Sequence, residues 1–287
     1  MIVPDGPMHG LSFAGLQSAR EGYLIERGSI AIAGSTSLYL YALRRDRQFF
    51  FDRKPKVLVV GDPAFGSWFK LKRLPHANEE AQQLGRDYAD AEVLIGAKAT
   101  LRRFLQSAKN ATIIHFAGHG IANPKSPWNS MLLLTPEGKD SGQLTAEQLM
   151  VELSVLERTR LVVLAACSTA GGLPVGPEGV APLVRPLIAA KVPAVVGTLW
   201  DVQDATAKNL LVSLHCHYRN GDDVAVALRY AQLEMLRNHE PARTWAPFQV
   251  VGYAASPYAH HAALEETHGE HVCTQNSLHR PDGLHPQ

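Results

Sequence analysis

Residues 161–172 read LVVLAACSTAGG, and this stretch decides the fold. An apolar run rich in leucine and valine is followed by a cysteine, two small polar residues and, one residue later, two glycines. An apolar run of this length, bounded by a glycine-containing loop, predicts a fully buried β-strand. Open α/β sheets place their chemistry at the carboxyl ends of their strands. The sequence therefore predicts that Cys167 lies where such a sheet carries its reactive groups.

An earlier stretch has the same form. Residues 111–117 read ATIIHFA and run directly into Gly118, His119 and Gly120. If the two strands are parallel neighbours, His119 and Cys167 lie above the same edge of the sheet. Their separation, 167 − 119 = 48 residues, is long enough for the crossover that joins two parallel strands.

Apolar strand patterns and helical patterns alternate along the rest of the chain. This alternation predicts an α/β fold with a mostly parallel sheet. Thr100 and Thr145 are the predicted N-caps of two of the helices. The predicted strands are 57–60, 91–95, 111–117, 131–134, 161–166, 193–199 and 248–251, with shorter candidates at 2–3, 23–25 and 30–33. The predicted helices are 37–45, 77–89, 100–108, 145–153, 180–190, 205–218 and 223–238.

Composition excludes several classes of function. The chain has 287 residues, of which 46% are apolar and 19% charged, and its net charge is +1, so nothing indicates a nucleic-acid or anionic membrane partner. No apolar run approaches the roughly 18 residues of a membrane-spanning helix. Residues 1–10 lack the pattern of a signal peptide, which predicts a cytoplasmic location. The cysteines are odd in number and lack CxxC spacing, which predicts free thiols in a reducing compartment; they are Cys167, Cys216 and Cys273.

The pairing of Cys167 with His119 suggests nucleophilic catalysis. A free thiol has a pKa of about 8.5, and a neighbouring imidazole can take its proton or stabilise the thiolate. The backbone N–H groups of Gly120 and Cys167 could form an oxyanion hole for a tetrahedral intermediate. This chemistry is acyl transfer to a thiol followed by hydrolysis, hence peptide-bond cleavage, and it requires neither a metal nor a cofactor.

Each of these residues also has an interpretation without catalysis. A cysteine in an apolar run is usually a small core residue. His115, inside its strand, is interpreted as a core histidine, and Cys216, on an apolar helix, as a core residue. His215 and His217 flank Cys216, but residues two apart on a helix point in different directions and are poor partners for one metal.

Two acidic residues follow the predicted strand 193–199. Asp201 and Asp204 could line a substrate pocket, and capping of a helix is an equally good interpretation. Other conceivable pocket residues are Glu178, Arg185 and Arg243.

Taken together, the motifs resemble the CHAT domain, a bacterial caspase-like domain often attached to tetratricopeptide repeats and related to caspases, separases and gingipains. The resemblance is carried first by residues 116–120, FAGHG, and 164–169, LAACST. Further similar segments are PDG at 4–6, VVGDP at 59–63, EGV at 178–180, TLWDVQDAT at 198–206, ALRYAQ at 227–232 and WAPF at 245–248.

The resemblance implies a three-layer caspase-like fold, with a mostly parallel central sheet flanked by helices. It implies a bacterial cysteine endopeptidase in which His119 is the general base, Cys167 the nucleophile and Gly120 an oxyanion-hole donor. The substrate would be a protein or peptide, and a regulatory or tetratricopeptide-repeat protein is a further expected partner. The chain departs from the family pattern at Ala165, where serine is usual, and at Ala170, which precedes the glycine pair.

Three regions are predicted on this basis. Residues 1–55 would be the N-terminal part of the CHAT region, incomplete and followed by a linker, and residues 56–257 the peptidase core. Residues 258–287 contain six histidines among polar residues, proline and glycine, which predicts a disordered tail whose spacing fits no defined metal site. The alternative function is a catalytically silent caspase-like module that binds or regulates a partner. A nucleotide-binding Rossmann domain is disfavoured, because residues 61–63, GDP, do not match GxGxxG.

Overall fold

In the computed structural model of the chain, the described residues are 1–48, 54–66, 69–123, 125–154, 156–166, 182–253 and 273. Cys167 and most of the C-terminal tail therefore lie outside the described residues, as do Ala170 and Glu178.

Within these ranges a seven-stranded sheet forms the centre of the molecule. In spatial order its strands are β3 (Ala31–Ile32), β12 (Phe248–Gly252), β11 (Ala194–Thr198), β10 (Leu161–Ala165), β6 (Ile113–Ala117), β4 (Val57–Gly61) and β5 (Ala91–Ile95). The five strands from β11 to β5 are parallel to one another, whereas β12 runs antiparallel to β11 and β3 follows the direction of β12. The predicted mostly parallel α/β sheet is therefore confirmed.

Smaller strands and the helices complete the described fold. The remaining strands are β1 (Gln17–Ser18), β2 (Gly22–Tyr23), β7 (Gly120–Ile121), β8 (Met131–Leu133) and β9 (Gln143–Thr145). The helices are α1 (Leu24–Arg27), α2 (Thr36–Gln48), α3 (Pro75–Asp87), α4 (Leu101–Ala108), α5 (Ala146–Glu152), α6 (Val184–Ala189), α7 (Asp204–Arg219), α8 (Val224–Arg237) and α9 (Ala242–Trp245).

Helices cover both faces of the sheet, because successive side chains of a strand point to opposite faces and both faces of these strands are apolar. In β4, Leu58 and Val60 pack in the cluster that includes residues of α4, α5 and α6. Val57 and Val59 pack in the cluster that includes residues of α3, α7 and α8. The result is three layers, as the resemblance to the CHAT domain implies.

The connections create a crevice at the carboxyl edge of the sheet. From β4 the chain crosses to β5 on one side, and from β5 it returns to β6 on the other side of β4. The point between β4 and β6 where the order reverses is a topological switch point, where open α/β sheets bind their ligands. The residues that follow β4 and β6 are therefore the natural candidates for a site.

Most predicted elements are confirmed, including the two threonine caps. Thr100 accepts a hydrogen bond from the N–H of Arg103, and Thr145 accepts one from the N–H of Gln148. The strand expected at 23–25 is wrong, because the helix α1 begins at Leu24. The carboxylate of Glu26 accepts a hydrogen bond from the N–H of Tyr23 at 2.7 Å, which caps this short helix.

The prediction for the cysteines is also wrong. Cys216 and Cys273 form a disulfide, with their Cα atoms 6.2 Å apart. Cys216 is not a core residue either, since it is only partly buried. Positions 212 and 216 lie four apart on α7 and are less buried than the three residues between them, which leaves the sulfur accessible to a residue from the tail.

Within the described residues, no helix combines the length and the apolar character needed to cross a membrane.

Candidate active site

The two predicted catalytic residues follow neighbouring strands of the sheet, β6 and β10, in the sequence. The strands pair in parallel from Leu161 opposite Ile113 to Ala165 opposite Ala117. Beyond the last pair, the N–H of Gly118 donates to the carbonyl of Ala165 at 3.2 Å. His119 and Cys167 each follow this last pair by two residues. Cys167 itself lies outside the described residues.

The residue before Cys167 is held in place from the other side. Ala166 is buried, and its carbonyl accepts a hydrogen bond from Oγ1 of Thr198 at 2.9 Å. Thr198 is the last residue of β11, so the backbone that leads into Cys167 is tied to both neighbouring strands.

The ring of His119 is oriented by a backbone carbonyl. Its Nε2 lies 2.7 Å from the carbonyl oxygen of Lys72, and the ring packs edge to face on Phe65 with centroids 4.9 Å apart. A carbonyl oxygen can only accept a hydrogen bond, so Nε2 must carry the proton. In the neutral ring Nδ1 is then the basic nitrogen, able to accept a proton from a neighbouring group.

A glycine allows the two strand ends to meet at His119. A Cβ atom at Gly118 would lie 3.0 Å from the ring of Phe116 and 3.1 Å from Cδ of Pro63. These distances are shorter than ordinary van der Waals contacts, so a larger residue would require the Phe116 ring or Pro63 to shift by a few tenths of an ångström.

The segment that provides the Lys72 carbonyl is fixed by a buried carboxylate. Asp62 directly follows β4, and its side chain accepts hydrogen bonds from Nε of Arg73 at 2.9 and 3.0 Å, from Nη2 of Arg73 at 2.6 Å and from the N–H of Leu74 at 3.1 Å. These hydrogen bonds to Asp62 raise the pKa of the Arg73 guanidinium. Lys72 thus lies immediately before two residues that Asp62 binds.

Gly120 begins β7, where it pairs with Leu132 of β8. Next to it, the carbonyl of His119 accepts a hydrogen bond from the N–H of Leu133 at 3.0 Å. The loop after β6 is thereby anchored to a small antiparallel sheet. The role of Gly120 as an oxyanion-hole donor stays a prediction.

The structure places the two candidate pocket acids differently from each other. Asp201 is exposed and lies at the carboxyl edge, three residues after β11. Oδ2 of Asp204 accepts a hydrogen bond at 2.9 Å from the N–H of His76, in the first turn of α3. Asp204 therefore satisfies an otherwise free donor at a helix start, the capping interpretation, although the helix that it caps is α3 rather than its own. Of the other conceivable pocket residues, Arg185 lies over the ring of Trp128 at 5.6 Å.

Below the edge, four polar side chains form a chain through the apolar interior. Nδ1 of His115 lies 3.0 Å from Nε2 of His215, and Nδ1 of His215 lies 2.9 Å from the hydroxyl of Tyr88. Nε2 of His115 lies 3.0 Å from Oε1 of Glu80, although this contact lacks the alignment of a hydrogen bond. His115 is thus a core histidine, as the sequence predicts, and the chain joins β6 to α3 and α7.

Burial determines the charge state of one member of this chain. His215 is almost completely buried, and the loss of hydration lowers its pKa well below the ordinary value, with repulsion from His115 and Arg219 acting in the same direction. His215 is therefore neutral at physiological pH.

The next histidine on α7 has the opposite character. Nε2 of His217 lies 2.9 Å from Oε1 of Glu234, and its Nδ1 lies 3.4 Å from Oδ2 of Asp222. Burial lowers the pKa of His217, but the hydrogen bonds and charges of Asp222 and Glu234 outweigh it and raise the pKa to about 9. His215 and His217 therefore face different partners, as their spacing predicts.

Sequence reasoning missed the roles of Asp62, Arg73 and Glu80. One signal was available: Glu80 is a charged residue on the apolar face of α3, between Ala77 and Leu84. The pairing of Asp62 with Arg73 carries no comparable signal, because it joins a strand end to an irregular segment.

The sequence of residues 1–253 matches the family model of the CHAT domain. The chain therefore belongs to the CHAT domain family. No curated protein matches it in sequence.

Solved structures of caspase-like peptidases resemble the fold. The separase–securin complex of Saccharomyces cerevisiae matches with a TM-score of 0.51 and 14% identity, covering 78% of this chain and 14% of that one. RgpB of Porphyromonas gingivalis matches with a TM-score of 0.53 and 11% identity, covering 75% and 52%. The Arg-specific cysteine proteinase gingipain R matches with a TM-score of 0.51 and 11% identity, covering 75% and 51%. The chain thus spans about half of the gingipain chains and a seventh of the separase chain, and at these identities the likeness shows a caspase-like fold alone.

Proposed function

We propose that this CHAT domain is a cysteine endopeptidase that cleaves a protein target through His119 and Cys167. One observation carries the proposal: β6 and β10 are parallel neighbours, and their last pair, Ala117 opposite Ala165, precedes His119 and Cys167 in the sequence by two residues each. The orientation of the His119 ring supports it, because the hydrogen bond of Nε2 to Lys72 leaves Nδ1 as the basic nitrogen.

The reaction follows from these roles. Nδ1 of His119 takes the proton of the Cys167 thiol, and the sulfur attacks the carbonyl carbon of the scissile peptide bond. The N–H groups of Gly120 and Cys167 stabilise the oxyanion of the tetrahedral intermediate. His119 then gives its proton to the departing amine, which leaves a thioester on Cys167. Water, deprotonated by His119, hydrolyses the thioester and frees the thiol, with no metal or cofactor in any step.

The proposed substrate is a protein or peptide, in line with the peptidases that share the fold. Asp201, which is exposed at the carboxyl edge, and Asp204, which binds the N–H of His76, both stay proposed pocket acids. A regulatory or tetratricopeptide-repeat protein is a further proposed partner. We keep the division into residues 1–55, 56–257 and 258–287 as part of the proposal.

We also propose that the protein is bacterial and cytoplasmic. One observation argues against the cytoplasmic location. Disulfides are rare in reducing compartments, and Cys216 is bonded to Cys273.

The alternative is a silent caspase-like module that binds a partner. Ala165 and Ala170, which depart from the family pattern on either side of Cys167, are the observations that favour it.

The experiment is cleavage of a peptide library with varied P1 residues by the purified chain and by its Cys167→Ala and His119→Ala variants. The proposal expects cleavage by the wild type that is lost in both variants, with the P1 profile reporting on the pocket. Cleavage that survives undiminished in either variant would contradict the assigned roles of His119 and Cys167. A wild type that cleaves nothing, with Cys167 no more reactive than an ordinary thiol, would favour the binding module.

A further inference from the structure

Lys72 provides the carbonyl that orients His119, yet it belongs to neither a strand nor a helix. Residues 70–74 form an irregular segment between β4 and α3. A segment of this kind has no ladder of backbone hydrogen bonds to fix its position. We therefore infer that the contacts with Asp62 hold this segment in position.

Asp62 is itself fixed by the sheet. Its backbone N–H donates to the carbonyl of Ala117, the last residue of β6, at 2.9 Å. Its φ angle is +42°, in the left-handed region that aspartate tolerates better than most residues. The side chain is almost completely buried, so its carboxylate depends on protein donors rather than water.

Arg73 binds both the side chain and the backbone of Asp62. Its Nε and Nη2 form a fork on the carboxylate, and Nη2 also donates to the backbone carbonyl of Asp62 at 2.9 Å. The N–H of Leu74 binds the same carboxylate at 3.1 Å. Asp62 is therefore bound through its backbone to the strand that leads to His119, and through its side chain to the two residues that follow Lys72.

We propose that Asp62 and Arg73 act as a positioning pair for the catalytic base, since together they hold the Lys72 carbonyl at hydrogen-bond distance from Nε2 of His119. This inference rests on the proposed peptidase function for its kinetic consequence but not for its structural one. Arginine is required at position 73, because a lysine ammonium keeps the charge but cannot reproduce the fork.

The test uses the full chain with Arg73→Ala and Arg73→Lys. The matched control is Arg102→Ala, since Arg102 of α4 makes an equivalent fork with Glu137 at 3.0 and 2.6 Å without contacting His119. The first readout is the ring N–H resonance of His119 in histidine-labelled protein, assigned with His119→Gln. A hydrogen-bonded ring N–H is held against exchange with water, so the resonance should be visible in the wild type and in Arg102→Ala and lost in Arg73→Ala.

The second readout is kinetic. For Arg73→Ala we expect kcat to fall on the order of 10²-fold with KM within a few-fold, because a small displacement of a catalytic group slows the chemistry more than it weakens binding. Arg73→Lys should fall between Arg73→Ala and the wild type. A His119 resonance that persists unchanged in Arg73→Ala would overturn the inference, as would full activity of Arg73→Lys. If the wild type cleaves nothing but the resonance is lost in Arg73→Ala alone, the positioning pair stands while the peptidase proposal fails.

Discussion

His115 and His119 lie four residues apart along one stretch of chain, yet they occupy opposite environments. His115 is completely buried and contacts the side chains of Glu80 and His215. His119 is half-buried beyond the strand end, where it contacts a backbone carbonyl and the ring of Phe65. The comparison teaches that the position of a histidine relative to the end of its strand decides its surroundings. The interior histidine joins β6 to α3 and α7, and the edge histidine remains partly exposed.

The largest expected effect is that of a substitution at His119, the histidine at the carboxyl edge of the sheet. His119→Gln should lower kcat/KM by about 10²–10⁴-fold, the usual contribution of a general base, and leave the free energy of unfolding nearly unchanged. Steady-state kinetics and urea unfolding of the same preparation measure both. If His119→Gln lowered both kcat/KM and the free energy of unfolding, His119 would have a structural role like that of His115, and the contrast between the two histidines would be wrong.

The interior should respond in the opposite way. His115→Leu leaves the Glu80 carboxylate buried without its histidine partner, which should cost about 3 kcal/mol of unfolding free energy. Glu80→Met should cost less, because His115 keeps its contact with His215. The double variant should recover part of the loss of His115→Leu, and urea unfolding of all four proteins forms the cycle. Strictly additive losses would mean that the 3.0 Å contact contributes nothing.

A third histidine extends the comparison to pH. The pKa of His217 is about 9 in the folded chain against an ordinary 6.5, so the folded state retains a proton that the unfolded state loses first. Its stabilisation is therefore complete below pH 6.5 and disappears as the pH rises through about 9. After allowance for solvent screening we expect about 1 kcal/mol.

This prediction is measured as the difference between wild type and His217→Gln in urea unfolding at acidic and alkaline pH. His239→Asn is the control, because His239 is exposed and its φ of +59° suits asparagine. A difference between wild type and His217→Gln that is independent of pH would contradict the assigned pKa.

The smallest effect concerns the three cysteines. Because Cys216 and Cys273 are bonded to each other, an alkylating agent applied to the denatured chain without reductant should label Cys167 alone. Reduction before alkylation should expose all three cysteines, and intact-mass measurement distinguishes the two states. Labelling of all three cysteines without reductant would contradict the disulfide and would support the free thiols that the sequence predicts.

The sequence predicts the sheet and its carboxyl edge well, because apolar runs such as 57–60 and 161–166 are long enough to be strands and are separated by amphipathic helices. His119 and Cys167 stand out for the same reason, since each ends such a run. The antiparallel β12 could not be predicted, because an apolar run carries no direction. The Cys216–Cys273 disulfide could not be predicted, because an odd number of cysteines does not indicate which two of them are bonded.

The contacts around His119 were beyond sequence reasoning for a different physical reason. Asp62 and Arg73 have ordinary turn and surface character, and the sequence gives no hint that a left-handed aspartate directs its carboxylate at an irregular segment. Glu80 is the exception, because a carboxylate on an apolar helix face requires a buried partner.

The central claim, that His119 activates Cys167, is tested most directly by the rate at which Cys167 is alkylated as a function of pH, in the wild type and in His119→Gln. Activation predicts that Cys167 of the wild type reacts at least about tenfold faster than a peptide thiol near neutral pH, and that this advantage disappears in His119→Gln. Equal rates in the two proteins, following the titration of an ordinary thiol, would contradict the claim.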